Sequence, residues 1–154
     1  MIFAVFDTNV LASGTLGLTE PKSTPGELLR RWRARAFQLI VSDPILVELT
    51  ATLASPYFIR RLTPAEIEDG LTRLRVEARR QPIITYVAGV AAHSEDDVII
   101  ATALSAGAPF LVTGDKALLK RDSYQGTRIL TPRQFLTVPD SEPGRSQRTS
   151  ACHA

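Results

Sequence analysis

Four carboxylates in this chain stand where a carboxylate has weak structural reasons to be. Asp7 ends an apolar run of β-formers, Ile2 to Phe6, and small polar residues follow it. Asp115 comes one glycine after Phe110, Leu111, Val112 and Thr113, a second apolar run, though Gly-Asp is also an ordinary turn signal. Glu48 lies beside a helical apolar stripe of Ile45, Leu49 and Leu53, where a charge is costly unless it is paired, metal-bound or reaches water from the stripe's edge. Asp96 has Ile99, Ile100 and Ala103 at i+3, i+4 and i+7, so helical spacing aims it with the apolar face. Its neighbour Asp97 falls three residues after Ser94, the capping-box offset, and acids also suit a first helical turn through the macrodipole. Capping suits Asp97; an inward aim suits Asp96.

If the four converge, they repel one another unless cations neutralise them. Oxygen ligands without His or Cys select hard ions, Mg²⁺ or Mn²⁺. Such a site keeps water on the metal. One water can be deprotonated near neutral pH and attack a phosphodiester in line, while a second ion roughly 4 Å away stabilises the leaving oxygen. Asn9 and Thr113 are placed to hydrogen-bond the ligands or position that water.

The elements that must position these acids alternate between strand and helix, which predicts a mostly parallel, roughly five-stranded sheet in a three-layer α/β/α domain. Strands are expected at 2–6, 38–41, 83–87, 110–113 and 128–130. A short helix is expected over 8–13, then a loop from Gly14 to Pro21. Thr24 and Asp43 read as N-caps, each followed by proline at the first helical position. Thr63-Pro64-Ala65-Glu66 and Thr131-Pro132-Arg133-Gln134 are capping boxes; the first opens a helix to about Arg80, ended by Pro82. Gly107 caps the helix that begins near Ser94. From Pro139 the chain loses periodicity, which predicts one domain over 1–138 and a disordered tail over 139–154. Cys152 and His153 lie in that tail, and two ligands are too few for a structural metal site.

The chain is 154 residues long with 44% hydrophobic and 22% charged residues, an ordinary globular balance with room for one core. No apolar run reaches membrane-spanning length, and no basic segment precedes an apolar one as in a secretory signal. With Cys152 the single cysteine, no internal disulfide can form, which fits a cytoplasmic protein. Net charge is only +2, but the 18 basic residues cluster. Arg30, Arg31 and Arg33 form one cluster, and Lys116 follows Asp115. These read either as solvated faces or as contacts for an RNA backbone or an acidic partner.

The motifs DTNV at 7–10, Glu48 after SDP, EDDVIIATAL at 95–104 and LVTGDKALL at 111–119 resemble the PIN domain of metal-dependent ribonucleases. The nearest likeness is to bacterial VapC-like toxins of type II toxin–antitoxin systems. The resemblance implies that Asp7, Glu48, Asp96 and Asp115 bind Mg²⁺ or Mn²⁺, and its ATA at 101–103 selects Asp96 over Asp97. It further implies an RNA substrate, a cognate antitoxin and a homodimer. One departure stands out: many relatives carry another acid two residues after the Asp of TGD, where this chain has Ala117. Asp97 or an RNA phosphate would then complete a second metal. A catalytically weak or inactive PIN-fold module that binds RNA or protein is the alternative. An aspartyl-phosphate phosphatase is disfavoured, because Asn9 stands where its second Asp is needed.

Overall fold

The computed structural model describes residues 2–87 and 94–138, and for 94–96 the backbone alone. Six strands form one sheet: β1 (Phe3–Phe6), β2 (Gln38–Val41), β3 (Arg79–Arg80), β4 (Phe110–Val112), β5 (Ser123–Tyr124) and β6 (Thr127–Leu130), in the order β3-β2-β1-β4-β6-β5. Every pairing is parallel except β5 with β6. The helices are α1 (Thr8–Leu16), α2 (Thr24–Arg33), α3 (Asp43–Leu53), α4 (Pro56–Ile59), α5 (Pro64–Glu77), α6 (Ser94–Ala106), α7 (Lys116–Arg121) and α8 (Pro132–Leu136), with a 3₁₀ turn at Gly17–Thr19. This is the expected three-layer α/β/α arrangement, with one strand more than the sequence suggests.

The strand sequences explain the layering. Ala4, Val5 and Phe6 are consecutive, so they point to alternate faces, yet all three are fully buried. Both faces of the sheet must therefore be covered, as parallel sheets require. Burying each large side chain such as Phe6, Leu39 or Ile40 contributes about 1.5–3 kcal/mol. Phe135 of α8 packs edge-on against Phe6, Phe37 and Phe110, with ring centroids 5.8, 5.1 and 5.7 Å away. That cluster packs α8 against β1 and β4.

Several local expectations are corrected. The strand expected at 83–87 is absent, and the helix expected to reach Arg80 ends at Glu77. Arg79 and Arg80 instead pair with Ile40 and Val41. Beyond Pro82 the amides of Ile84 and Thr85 both donate to Ser105 Oγ, at 2.9 and 3.0 Å, so no ladder forms, and Ile84 and Tyr86 stay exposed. The β5–β6 hairpin was not anticipated. Its two-residue turn, Gln125 and Gly126, has φ of 47° and 91°, the both-positive pattern of a tight hairpin, written without the usual Asn-Gly. The loop expected from Gly14 is still helix, since α1 continues to Leu16. N-caps shift by one residue: Ser23 caps α2, accepting from the Gly26 amide at 3.0 Å, and Ser42 precedes α3. The capping boxes at Thr63 and Thr131 form as expected. The N-cap reading of Ser94 and the tail from 139 lie outside the described residues.

The α1–α2 packing depends on a backbone approach at Gly17 and Gly26, where a Cβ on Gly26 would collide with the Gly17 carbonyl. Carbonyls here cannot rotate aside as side chains do. We therefore expect Gly26→Ala to destabilise the fold by about 1–3 kcal/mol, read as a lower urea midpoint at unchanged m-value.

Candidate functional site

The strand order places a switch between β1 and β4. From β1 the chain builds outward to β2 and β3; from β4 it builds the other way to β6 and β5. Connections leaving the two central strands diverge there, which opens a crevice at their carboxyl ends. Asp7 directly follows β1, and Asp115 follows β4 by two residues.

Each acid also begins a helix. Asp7 caps α1, with Oδ1 accepting from the Asn9 amide at 3.4 Å, and its own amide donates to the Val112 carbonyl at 2.8 Å. Asp115 caps α7, with Oδ1 accepting from the amides of Ala117 and Leu118 at 2.8 and 3.1 Å. Thr113, fully buried, joins the two. Its hydroxyl donates to Asp7 Oδ2 at 2.7 Å and accepts from the Asp115 amide at 3.0 Å. Both donors of a carboxylate–hydroxyl–amide chain are thus used to hold Asp7 toward the Asp115 turn.

The electrostatics at Asp7 are unfavourable as they stand. Asp7 is 4% exposed, and burial pushes its pKa up. The hydrogen bonds from Thr113 and Asn9 lower it, while the charge of Asp115 raises it again. Among the described residues no ion pair reaches Asp7 or Asp115. The adjacent Thr8 hydroxyl is buried and lacks a hydrogen-bond partner among the described residues. A buried carboxylate, a second carboxylate beside it and an unsatisfied hydroxyl form an oxygen-only donor set that fits a hard cation with its water.

Comparison with known families decides the assignment of the fold. The PIN domain family model matches residues 4–117. This chain belongs to the PIN domain family. The matched span includes Asp7, Glu48, Asp96 and Asp115. Two solved PIN-fold structures are similar. The toxin–antitoxin complex VapBC2 from Rickettsia felis, bound to a DNA fragment of its promoter, has a TM-score of 0.52 at 14% identity, covering 83% of this chain and 97% of that one. VapC20 from Mycobacterium tuberculosis, a toxin that cleaves the sarcin–ricin loop, has a TM-score of 0.51 at 16% identity, covering 81% and 98%. No curated protein matches the sequence.

Within this PIN domain the remaining candidates are placed unequally. Glu48 is half-buried on α3, next to fully buried Leu49, and has an interaction partner. The Asp96 side chain lies outside the described residues. Asp97, expected to cap, is 6% exposed and also partnered. Helix α6 touches β1, β2, β4 and α3, so Ile99, Ile100, Ala101, Thr102 and Ala103 are all buried. Sequence reasoning passed over two hydroxyls here. Ser42 and Thr102, both fully buried, bond at 2.8 Å and tie α6 to the end of β2. Among the described residues no three acid, His or Cys side chains are close enough to hold an ion; the acids brought together are Asp7 and Asp115.

The basic candidates are mostly engaged within the chain. Arg30 donates to the carbonyls of Gly17 and Leu18 at 3.1 and 2.9 Å and pairs with Glu27 at 3.0 Å. Arg31 also pairs with Glu27, at 3.1 Å, and Arg33 with Asp69 at 3.7 Å. Lys116 is exposed beside Asp115.

The raised pKa of Asp7 has a sign that can be tested. Its folded pKa lies above the unfolded value of 3.8, so the folded state binds the extra proton between the two. Stability at this group therefore falls as pH rises from near 3.8 through the folded pKa, and the penalty is complete above it. We expect Asp7→Asn to be more stable than the parent in metal-free buffer at pH 7. Urea unfolding across pH should show that difference shrinking as pH falls toward 3.8.

Proposed function

We propose that this PIN domain is a Mg²⁺- or Mn²⁺-dependent endoribonuclease and the toxin of a toxin–antitoxin pair, acting in the cytoplasm. The observation that carries the reading is the Asp7–Thr113–Asp115 arrangement: a buried, hydrogen-bonded carboxylate beside a second one, at the sheet's switch point, with no cation of its own among the described residues. In this reading Asp7, Glu48, Asp96 and Asp115 hold the ion. A bound divalent cation supplies charge neutralisation, Lewis acidity toward a phosphate oxygen and a water acidic enough to act as nucleophile.

The chain's own residues do the rest. Thr113 fixes the rotamer of Asp7 from a fully buried position, so the ligand oxygen does not have to be ordered when the ion arrives. Asp115 uses Oδ1 for its helix cap, which leaves Oδ2 to face a ligand. Asn9 supports Asp7 through its amide, and Asp97 and Lys116 stand close in sequence to ligand positions. The named activity of VapC20 and the antitoxin and DNA in the VapBC2 complex support RNA as substrate and an antitoxin as partner. A homodimer belongs to the same reading, with exposed Val47, Tyr57 and Ile59 as apolar surface to cover.

Ala117 favours a second reading, a weak or inactive module that binds RNA or protein, because a further acid is missing from the α7 start. Cleavage assays separate the two. With Mn²⁺ and an unstructured RNA, the parent should cleave, Asp7→Asn should fall to the metal-free blank, and chelator should stop the parent. Intact RNA with folded parent protein that binds Mn²⁺ contradicts the nuclease reading. Thr113→Val should keep the fold and weaken Mn²⁺ binding about 10–100-fold by calorimetry, the usual cost of losing a group that orients a ligand.

A further inference from the structure

A cavity of about 420 Å³ opens where the end of α2, the start of β2 and the end of α5 meet. It lies toward the amino ends of the strands, away from the Asp7 crevice. Its size suits a nucleotide-sized ligand. Trp32 and Phe37, each 6% exposed, form its floor, exposed Val76 borders it, and Arg35 and Arg79 line it. Its one acid, Glu77, is paired with Arg73 at 3.3 Å. Neighbouring Arg33 and Arg80 are paired with Asp69 and Asp43. Arg35 and Arg79 have no ion-pair partner among the described residues.

Both arginines are held there by the backbone. Arg35 sits at φ 66°, closing α2 through the Arg35 amide to Trp32 and the Ala36 amide to Arg31. Helices usually end that way on glycine, so a side chain at this position is strained. Strain of this kind points to a use for the side chain that carries it. The Arg79 guanidinium lies 5.2 Å from the Phe3 ring centroid, which steadies it over an apolar face. Arg79 and Arg80 make up β3, an edge strand of the sheet. It runs parallel to β2 and leads from the cavity toward Asp43, where α3 and Glu48 begin.

We propose that this cavity and the β3 edge form a docking site for single-stranded RNA outside the acid crevice, resting on the ribonuclease reading above. Arg35 and Arg79 hold a phosphate, and the surface of Trp32, Phe37 and Val76 takes the attached base. Paired guanidinium forks beside an aromatic floor match a nucleotide better than the carboxylates of an acidic peptide.

The test uses the full chain carrying Asp7→Asn, without metal, so that RNA is bound and not cut. Anisotropy of a labelled unstructured 12-mer RNA is compared with the same chain also carrying Arg35→Gly or Arg79→Ala, or both. Each change should weaken binding about tenfold. Losing the phosphate contact should flatten the log K against log salt slope by about 0.7. Arg35→Gly should at the same time raise the melting temperature by about 2–4 °C, because glycine relieves the backbone, and this separates lost contact from lost fold. Unchanged affinity and slope in the double variant overturn the docking site and leave the nuclease reading intact. Binding of a pentaglutamate peptide in place of RNA overturns the choice of ligand. Failure of the Asp7→Asn chain to bind RNA at low salt overturns the docking site, while cleavage by the Mn²⁺-loaded parent decides the nuclease reading separately.

Discussion

The hydrogen bond from Thr113 to Asp7 is the constraint on which the arrangement of the site depends. A carboxylate this deeply buried is expensive unless its charge is met. Neutral donors, the Thr113 hydroxyl at 2.7 Å and the backbone amides of Asn9 and Thr8, do not meet it, and Asp115 adds charge of the same sign. The fold holds this unfavourable group rigidly at the end of its central strand. Stability is given up there for a geometry that also caps α1 and that the proposed function uses to hold a cation.

The rest of the architecture serves that geometry. Parallel pairing of β1 with β4 sets Phe6 opposite Val112, so the residues after them leave the sheet side by side. The Phe6, Phe37, Phe110 and Phe135 cluster packs α8 onto this pair, and the Ser42–Thr102 hydroxyl contact ties α6 to the end of the neighbouring β2. Helix caps then double as site construction, since Asp7 and Asp115 each aim one oxygen at the helix that follows. A carboxylate at a helix N-terminus gains from the macrodipole, which offsets part of its burial at Asp7.

Much of this was legible in the sequence. Apolar runs ending in Asp7 and before Asp115 marked the central strands and both acids, because strand burial on two faces leaves a continuous apolar signature. Capping boxes at Thr63 and Thr131 were legible because their chemistry is local. What failed was what depends on neighbours distant in sequence. Arg79 and Arg80 carry no strand pattern and pair only because Ile40 and Val41 offer an edge. Ile84 and Tyr86 look like strand residues but stay exposed among the described residues. Helical spacing assigns Asp97 to capping, yet Asp97 is buried and partnered because α6 is enclosed on several sides. The linking role of Thr113 was suggested by its position, while its two hydrogen bonds needed the fold.

The most direct measurement is anomalous diffraction at the manganese edge from crystals of this chain grown with Mn²⁺. The account predicts an anomalous peak within coordination distance of Asp7 Oδ1 or Oδ2, shared with Asp115, and its disappearance in Asp7→Asn. Mn²⁺ bound only elsewhere on the chain, or an unchanged peak in Asp7→Asn, contradicts it.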